Sequence, residues 1–150
     1  MFKHILVPVD GSEHAVRAVD IASDLAKYSG AKLTLIHVLT HSGGYQVPKE
    51  LKAFSELEHI RVTEHDVIES VGREILAKAE KHARSGGAGD IATKLENGDP
   101  ASVIAKAVKN GGVDLIVMGR RGLGDLGGLL LGSVSHKTAQ AVDACCLTVK

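Results

Sequence analysis

Tryptophan is absent from this 150-residue chain, and aromatic residues of all kinds make up only 3% of it. So few rings leave little for single-stranded nucleic acid to stack on, and they do not supply the aromatics that usually sandwich a flavin. A net charge is missing as well, because 18 Lys and Arg balance 18 Asp and Glu. A general nucleic-acid binder needs a basic face, so this balance argues against one. No apolar run is long enough to cross a membrane. The opening "MFKHILVPVDGS" is not a signal peptide, since its apolar run is short and ends in Pro8, Asp10 and Gly11. The expected location is the cytoplasm. The only two cysteines, Cys145 and Cys146, are adjacent. Neighbours on a strand point to opposite faces, so they do not pair with each other without strain. They read as small apolar fillers in a reducing compartment, with a redox pair as the other reading.

What is present is aliphatic: hydrophobic residues reach 44% with almost no aromatics. A core of Ala, Val, Ile and Leu suits a tightly packed α/β sheet, and the length suits one domain. "FKHILVPVD" reads as a buried strand. The next segment has Ser12 as an N-cap candidate, apolar residues at helical spacing and Gly30 as a stop. "AKLTLIHVL" reads as a second strand, and the polar stretch from about Thr40 to His59 as an excursion with a short helix near Leu51 to Leu57. A long amphipathic helix is expected from about Ile60 to Arg84, with a stripe of Val67, Ile68, Val71, Ile75, Ala79 and His82. "IATKLENGD" reads as a third strand, at an edge because it is less apolar. Asp99 and Pro100 open the helix "ASVIAKAVKN". "VDLIVMG" is the fourth strand, "SVSHKTAQAVD" a last helix and "ACCLTVK" a last strand. Strands alternating with helices predict an α/β fold: a doubly wound, five-stranded parallel sheet with helices on both faces. Ligands of such sheets bind beyond the carboxyl ends of the strands, where the strand order reverses.

Two such ends carry loop chemistry: Asp10-Gly11-Ser12 and the stretch "MGRRGLGDLGGLLLGS", Met118 to Ser133. Two phosphate-loop patterns almost fit the second. Gly122, Gly124 and Gly127 spell the dinucleotide fingerprint, but they follow the fourth strand rather than the first, and no acidic residue closes a following strand. Gly127 and Gly132 have P-loop spacing, but Gly132 runs straight into Ser133 without the phosphate-neutralising lysine. A third spacing, Gly119-x2-Gly122-x9-Gly132-Ser133, resembles the ATP-binding signature of the universal stress protein family. "ILVPVDGSEHA", "LTLIHV", "GDPASVI", "DLIVMGRRG" and "GSVSHKTAQ" are similar to successive segments of the same family. The resemblance covers nearly all of the chain outside the excursion.

The physics of the loop agrees with that resemblance. Gly119, Gly122 and Gly132 let the backbone turn and approach a ligand. With Ser133 as N-cap, the amides of Ser133, Val134, Ser135 and His136 and the helix dipole make an anion site. The hydroxyls of Ser133 and Ser135 can add bonds. Arg120 is either an extra cation or a solvated loop residue, and His136 either touches a phosphate or is a surface residue. The family resemblance places Asp10 beside the adenine and ribose, with Pro8 and Val9 shaping the pocket wall. Asp10 could instead hold Mg²⁺ or cap the first helix with Ser12. The resemblance also matches Val38 to a position whose backbone meets the adenine edge, and it adds Met118 at the pocket. The eight histidines show no metal-ligand spacing.

No nucleophile, base and orienting group emerge together, and Asp10 and Asp125 are the only carboxylates at this end. The chain therefore reads as a binding protein, not an efficient enzyme. The resemblance implies a Rossmann-like sheet of strand order 3-2-1-4-5 and a cofactor of ATP, AMP or ADP, with or without Mg²⁺. It also implies a homodimer through the C-terminal strand and a stress-response role with an unidentified protein partner. The alternatives are a slow ATPase or nucleotidyl-transfer enzyme, and an adaptor that needs no nucleotide. At the last strand the chain departs from the family, with Cys145-Cys146 where Cys-Pro is commoner.

Overall fold

The computed structural model describes residues 1–40, 48–59, 61–122 and 132–150. Five parallel strands, β1 (His4–Pro8), β2 (Lys32–Leu39), β3 (Ile91–Asn97), β4 (Leu115–Gly119) and β5 (Cys145–Val149), form one sheet of order β3-β2-β1-β4-β5. The helices are α1 (Glu13–Ser29), α2 (Lys49–Leu57), α3 (Glu64–Ser85), α4 (Pro100–Gly111) and α5 (Ser133–Ala141). No helix among the described residues is long and apolar enough to cross a membrane.

Strand alternation sorts the core into two layers. Ile5, Val7, Leu33, Leu35, Leu115 and Val117 face α1 and α3. Leu6, Ile36, Ile116 and Met118 face α4, with Val134 of α5 packed against them. Most of these strand residues are fully buried, as expected of a parallel sheet covered on both sides. At the amino end of the sheet, Asp114 accepts from the amides of Lys3 (2.8 Å) and His4 (3.1 Å), which ties the start of β4 to the start of β1.

The local stop and start signals act as written in the sequence. Ser12 caps α1 through the Ala15 amide, and Gly30 closes it at φ 67°. Asp99 caps α4 by accepting from the Ser102 amide (3.0 Å) and hydroxyl (2.8 Å). The Ser102 hydroxyl bond first, and then its amide bond, hold the Asp99 carboxyl below its usual value. A folded pKa below the unfolded one stabilises the fold above the unfolded value of about 3.9 and loses that stabilisation as pH falls through the folded pKa. Asp99→Ala is therefore destabilising at pH 7, and its urea midpoint converges with wild type in acid below the folded pKa; a gap that stays constant with pH would contradict the assignment.

Two expectations need correction. The long helix begins at Glu64, not near Ile60, because Thr63 and Asp66 form a reciprocal capping box there; Ile60 lies outside the described residues. Ile75 and Ala79 of the expected stripe pack against the core, but the fully buried face is rotated from it. Gly72, Leu76 and Ala83 are buried, whereas Val71 is 38% exposed and His82 is exposed against Asp20. Gly72 explains the rotation. A Cβ there would meet Leu39 Cδ2 at 2.7 Å and His37 and Leu95 at 2.9 Å, so α3 approaches β2 along its glycine. The second correction concerns α5. Its N-cap is Gly132, with no side-chain cap, and Ser133 is the first helical residue.

Candidate functional site

The strand order reverses between β1 and β4, and both strands end beside helix N-termini. Pro8 closes β1 and pairs with Ile36. By alternation it shares the α4 and α5 side of the sheet with Leu6 and Ile36, where Val38, Met118 and Val134 also pack. Four of the sequence candidates, Pro8, Val38, Met118 and Val134, thus lie on one side of the sheet at its carboxyl end.

Val9 does not join them. Its side chain is buried in the α1 and α3 layer. Its amide donates to the Ile36 carbonyl (2.9 Å), and its carbonyl accepts from His37 Nδ1 (2.7 Å). Strand alternation turns the side chain of Val9 away from the face that Pro8 presents, so Val9 supports the site from beneath rather than walling it.

Val38 is placed by register. Ile36 receives the Val9 amide, whereas Leu39 receives the amide of Gly98 on the β3 side. Backbone groups alternate sides along a parallel strand, so Val38 turns its N–H and C=O toward β1, one step past the last β1 residue that bonds to β2. That arrangement suits recognition of a flat heteroaromatic edge by main chain.

The two early signature glycines serve interior contacts. A Cβ on Gly119 would lie 2.8 Å from both the carbonyl carbon and the Cβ of His14 and 3.0 Å from the Ala15 amide nitrogen. A Cβ on Gly122 would lie 2.5 Å from Asp10 Oδ2. Neither glycine is among those with positive φ. The expectation that they serve a backbone turn is therefore corrected: Gly119 admits the first turn of α1, and Gly122 admits the Asp10 carboxylate. Asp10 also accepts from the Ser12 amide at 2.9 Å, while Ser12 itself caps α1. The local reading of Asp10, a part in starting α1 with Ser12, is thus present in the fold. Gly124, Asp125 and Gly127 lie outside the described residues.

The start of α5 is fastened to β4 by its backbone. Gly132 donates to the Arg120 carbonyl (2.7 Å), and Arg120 donates to the Val149 carbonyl (2.6 Å). His136 donates to the Gly132 carbonyl (2.9 Å), which removes it from the expected set of open amides. Helical geometry leaves Ser133, Val134 and Ser135 without intrahelical acceptors. Ser135 is buried and gives its hydroxyl proton to the Gly119 carbonyl (2.8 Å). Its hydroxyl thus braces the β4 end rather than donating to a ligand; the amide remains.

Among the described residues, Arg120 Nε and His14 Nδ1 are buried near this end without a hydrogen-bond partner. An unmet buried donor or acceptor costs about 1–3 kcal/mol, so both mark a place where an added polar group would be stabilising. His14 carries no periodic or motif signal that would single it out; only the close approach of α1 to Gly119 brings it here. No cluster of three or more His, Cys, Asp or Glu able to hold a metal occurs among the described residues.

The site is therefore an anion-compatible helix start beside an aliphatic wall and an open strand edge. Donors there are three open amides, with Ser133 opening the helix and the Arg120 backbone bonded to Gly132. This donor set fits a phosphate next to a heteroaromatic ring. The sequence profile of the Universal stress protein family matches residues 1–150. Universal stress protein YxiE of Bacillus subtilis is 35% identical over 146 residues, 93% of each chain. A universal stress protein crystallised in complex with cAMP is 28% identical, with a TM-score of 0.68 over 99% of this chain and 97% of that one. The universal stress protein of Archaeoglobus fulgidus in complex with dAMP shares the fold at 22% identity, with a TM-score of 0.68 over 99% and 98% of the two chains.

Proposed function

Because this chain belongs to the universal stress protein family, we propose that it is an adenine-nucleotide-binding regulatory module of the cytoplasm. The observation that carries the reading is the convergence of Pro8, Val38, Met118 and Val134 on one side, beside the open amides of Ser133 to Ser135. In this reading the adenine lies against the aliphatic wall, with its edge at the Val38 backbone. Asp10 meets the ribose, and the phosphates meet the start of α5, with Arg120 as added cation. ATP, ADP and AMP share the adenosine and first phosphate, and Mg²⁺ would accompany the longer chains by neutralising the outer phosphates. The 28%-identical relative with cAMP supports an adenine nucleotide.

The module holds its nucleotide rather than turning it over. No lysine stands between Gly132 and Ser133 to stabilise charge moving onto a leaving phosphate. Nucleotide occupancy instead alters the surface shown to a protein partner. The functional unit is a homodimer joined through β5. The two sheet edges differ in a way that supports this: β3 carries the exposed charges Lys94 and Glu96, whereas β5 carries no charge and exposes Leu147 at 38%. Charge on an edge strand blocks pairing, and its absence permits it.

The test is calorimetric titration with ATP, AMP and adenosine. AMP and ATP are expected to bind at micromolar to low millimolar concentration and adenosine at least ten times more weakly. No heat from any of the three at millimolar ligand would overturn the nucleotide reading.

A further inference from the structure

We propose that His37 is a positioning residue for base recognition. By holding the Val9 carbonyl it keeps the Val38 amide open, and so makes the site prefer 6-aminopurine over 6-oxopurine nucleotides. The inference rests on the adenine reading of the site and adds the residue that sets its selectivity.

In a parallel ladder, a residue that donates its amide to one residue of the next strand accepts, at its carbonyl, the amide two residues further along. Val9 donates to the Ile36 carbonyl (2.9 Å). The ladder's next bond would therefore run from the Val38 amide to the Val9 carbonyl. Among the described residues that bond is not formed, and the pairing of β1 with β2 ends at Pro8 and Ile36. The Val9 carbonyl instead meets His37 Nδ1 at 2.7 Å. A carbonyl only accepts, so Nδ1 carries the proton and donates it.

The fold gives the ring its place. By alternation His37 shares the α1 and α3 side of the sheet with Leu33 and Leu35. Its ring lies against α3 at Gly72, where a Cβ would come within 2.9 Å of His37 Cδ2. The half-buried ring thus reaches Val9 from the face opposite Pro8, Met118 and Val134. On the other side of β1, Pro8 has no amide hydrogen to give β4, and the β1–β4 pairs stop at Leu6 and Ile116. The ladders on both sides of β1 give out where the strand order reverses.

The open Val38 amide and the Val38 carbonyl form a donor and an acceptor side by side. A 6-aminopurine presents the matching pair, N1 as acceptor and the N6 amino group as donor. A 6-oxopurine presents N1–H and O6, which sets donor against donor and acceptor against acceptor, so it is disfavoured. Without the His37 proton, the Val9 carbonyl takes the Val38 amide and the ladder closes. The site then keeps its aliphatic wall and its phosphate donors but loses its donor to the base.

Two measurements on the full chain test this: hydrogen exchange of the Val38 amide by NMR without ligand, and calorimetric titration with AMP and with inosine monophosphate. The variants are His37→Leu, which removes the donor, and His37→Asn, whose side-chain nitrogen takes the place of Nδ1. In wild type and His37→Asn the free Val38 amide is expected to exchange fast and to become protected by AMP. In His37→Leu it is expected to exchange at least about tenfold more slowly without ligand, as an amide in a closed ladder does. AMP affinity is expected to fall about tenfold in His37→Leu, the order of one lost hydrogen bond, and to be retained in His37→Asn. Affinity for inosine monophosphate is expected to change little, so the preference for AMP shrinks. A protected Val38 amide in free wild type, equal losses for the two nucleotides, or a His37→Asn variant as impaired as His37→Leu each overturns the inference while leaving adenine binding in place. If wild type binds neither nucleotide, the adenine reading falls and the selectivity falls with it.

Discussion

Gly119→Ala is expected to lower the melting temperature by roughly 2–12 °C, the range that an overpacking cost of about 1–3 kcal/mol implies for a chain of this length. The new methyl group would stand 2.8 Å from the His14 carbonyl carbon and Cβ and 3.0 Å from the Ala15 nitrogen. These atoms belong to or sit directly on the first turn of α1, so no side-chain rotation relieves the contact. The helix must retreat from β4, which loosens the buried layer of Ala15, Ala18 and Val19. The carbonyl of Gly119 also holds the Ser135 hydroxyl, so the start of α5 shifts with it and nucleotide affinity falls. Gly72→Ala is the internal control. The three atoms nearest its methyl are side-chain atoms of Leu39, His37 and Leu95, which shift more readily than backbone, so its melting temperature is expected to fall less. Equal losses at the two positions, read by calorimetric melting, would refute the distinction between backbone and side-chain obstruction.

Gly122→Ala is expected to act on binding more than on stability. Its methyl would lie 2.5 Å from Asp10 Oδ2, and a carboxylate can rotate away. That rotation puts at risk the 2.9 Å bond from the Ser12 amide and removes Asp10 from the ribose position assigned above. Affinity for AMP should fall about tenfold, equivalent to about 1.4 kcal/mol, with little change in melting temperature. Asp10→Ala removes the obstructed atom, so adding Gly122→Ala to it should cost nothing further. Residues in contact show coupling of about 0.5–3 kcal/mol in such cycles. Additive losses in the double variant, measured by calorimetric titration, would show that Gly122 does not act through Asp10.

Much of the fold is legible from local chemistry. Ser12 and Asp99 cap helices because a short polar side chain reaches the free amides of a first turn. Gly30 and Gly112 end helices because left-handed backbone excludes little else. The alternation of strands and helices, read with the family resemblance, leads to the β3-β2-β1-β4-β5 sheet. The candidate site was legible in outline through Gly119-x2-Gly122-x9-Gly132-Ser133.

The facing of individual residues was not legible, because it depends on register and on contacts between segments far apart in the chain. Val9 sits next to Pro8 yet faces the other layer. Ser135 sits in the signature helix yet bonds back to Gly119, 16 residues away. The roles of Gly119 and Gly122 show the limit most plainly. Sequence spacing marks both positions as requiring glycine, but the atoms that require it belong to His14, Ala15 and Asp10 of the β1–α1 turn. Spacing encodes local backbone needs, whereas steric exclusion across the sheet arises only when distant segments are packed together.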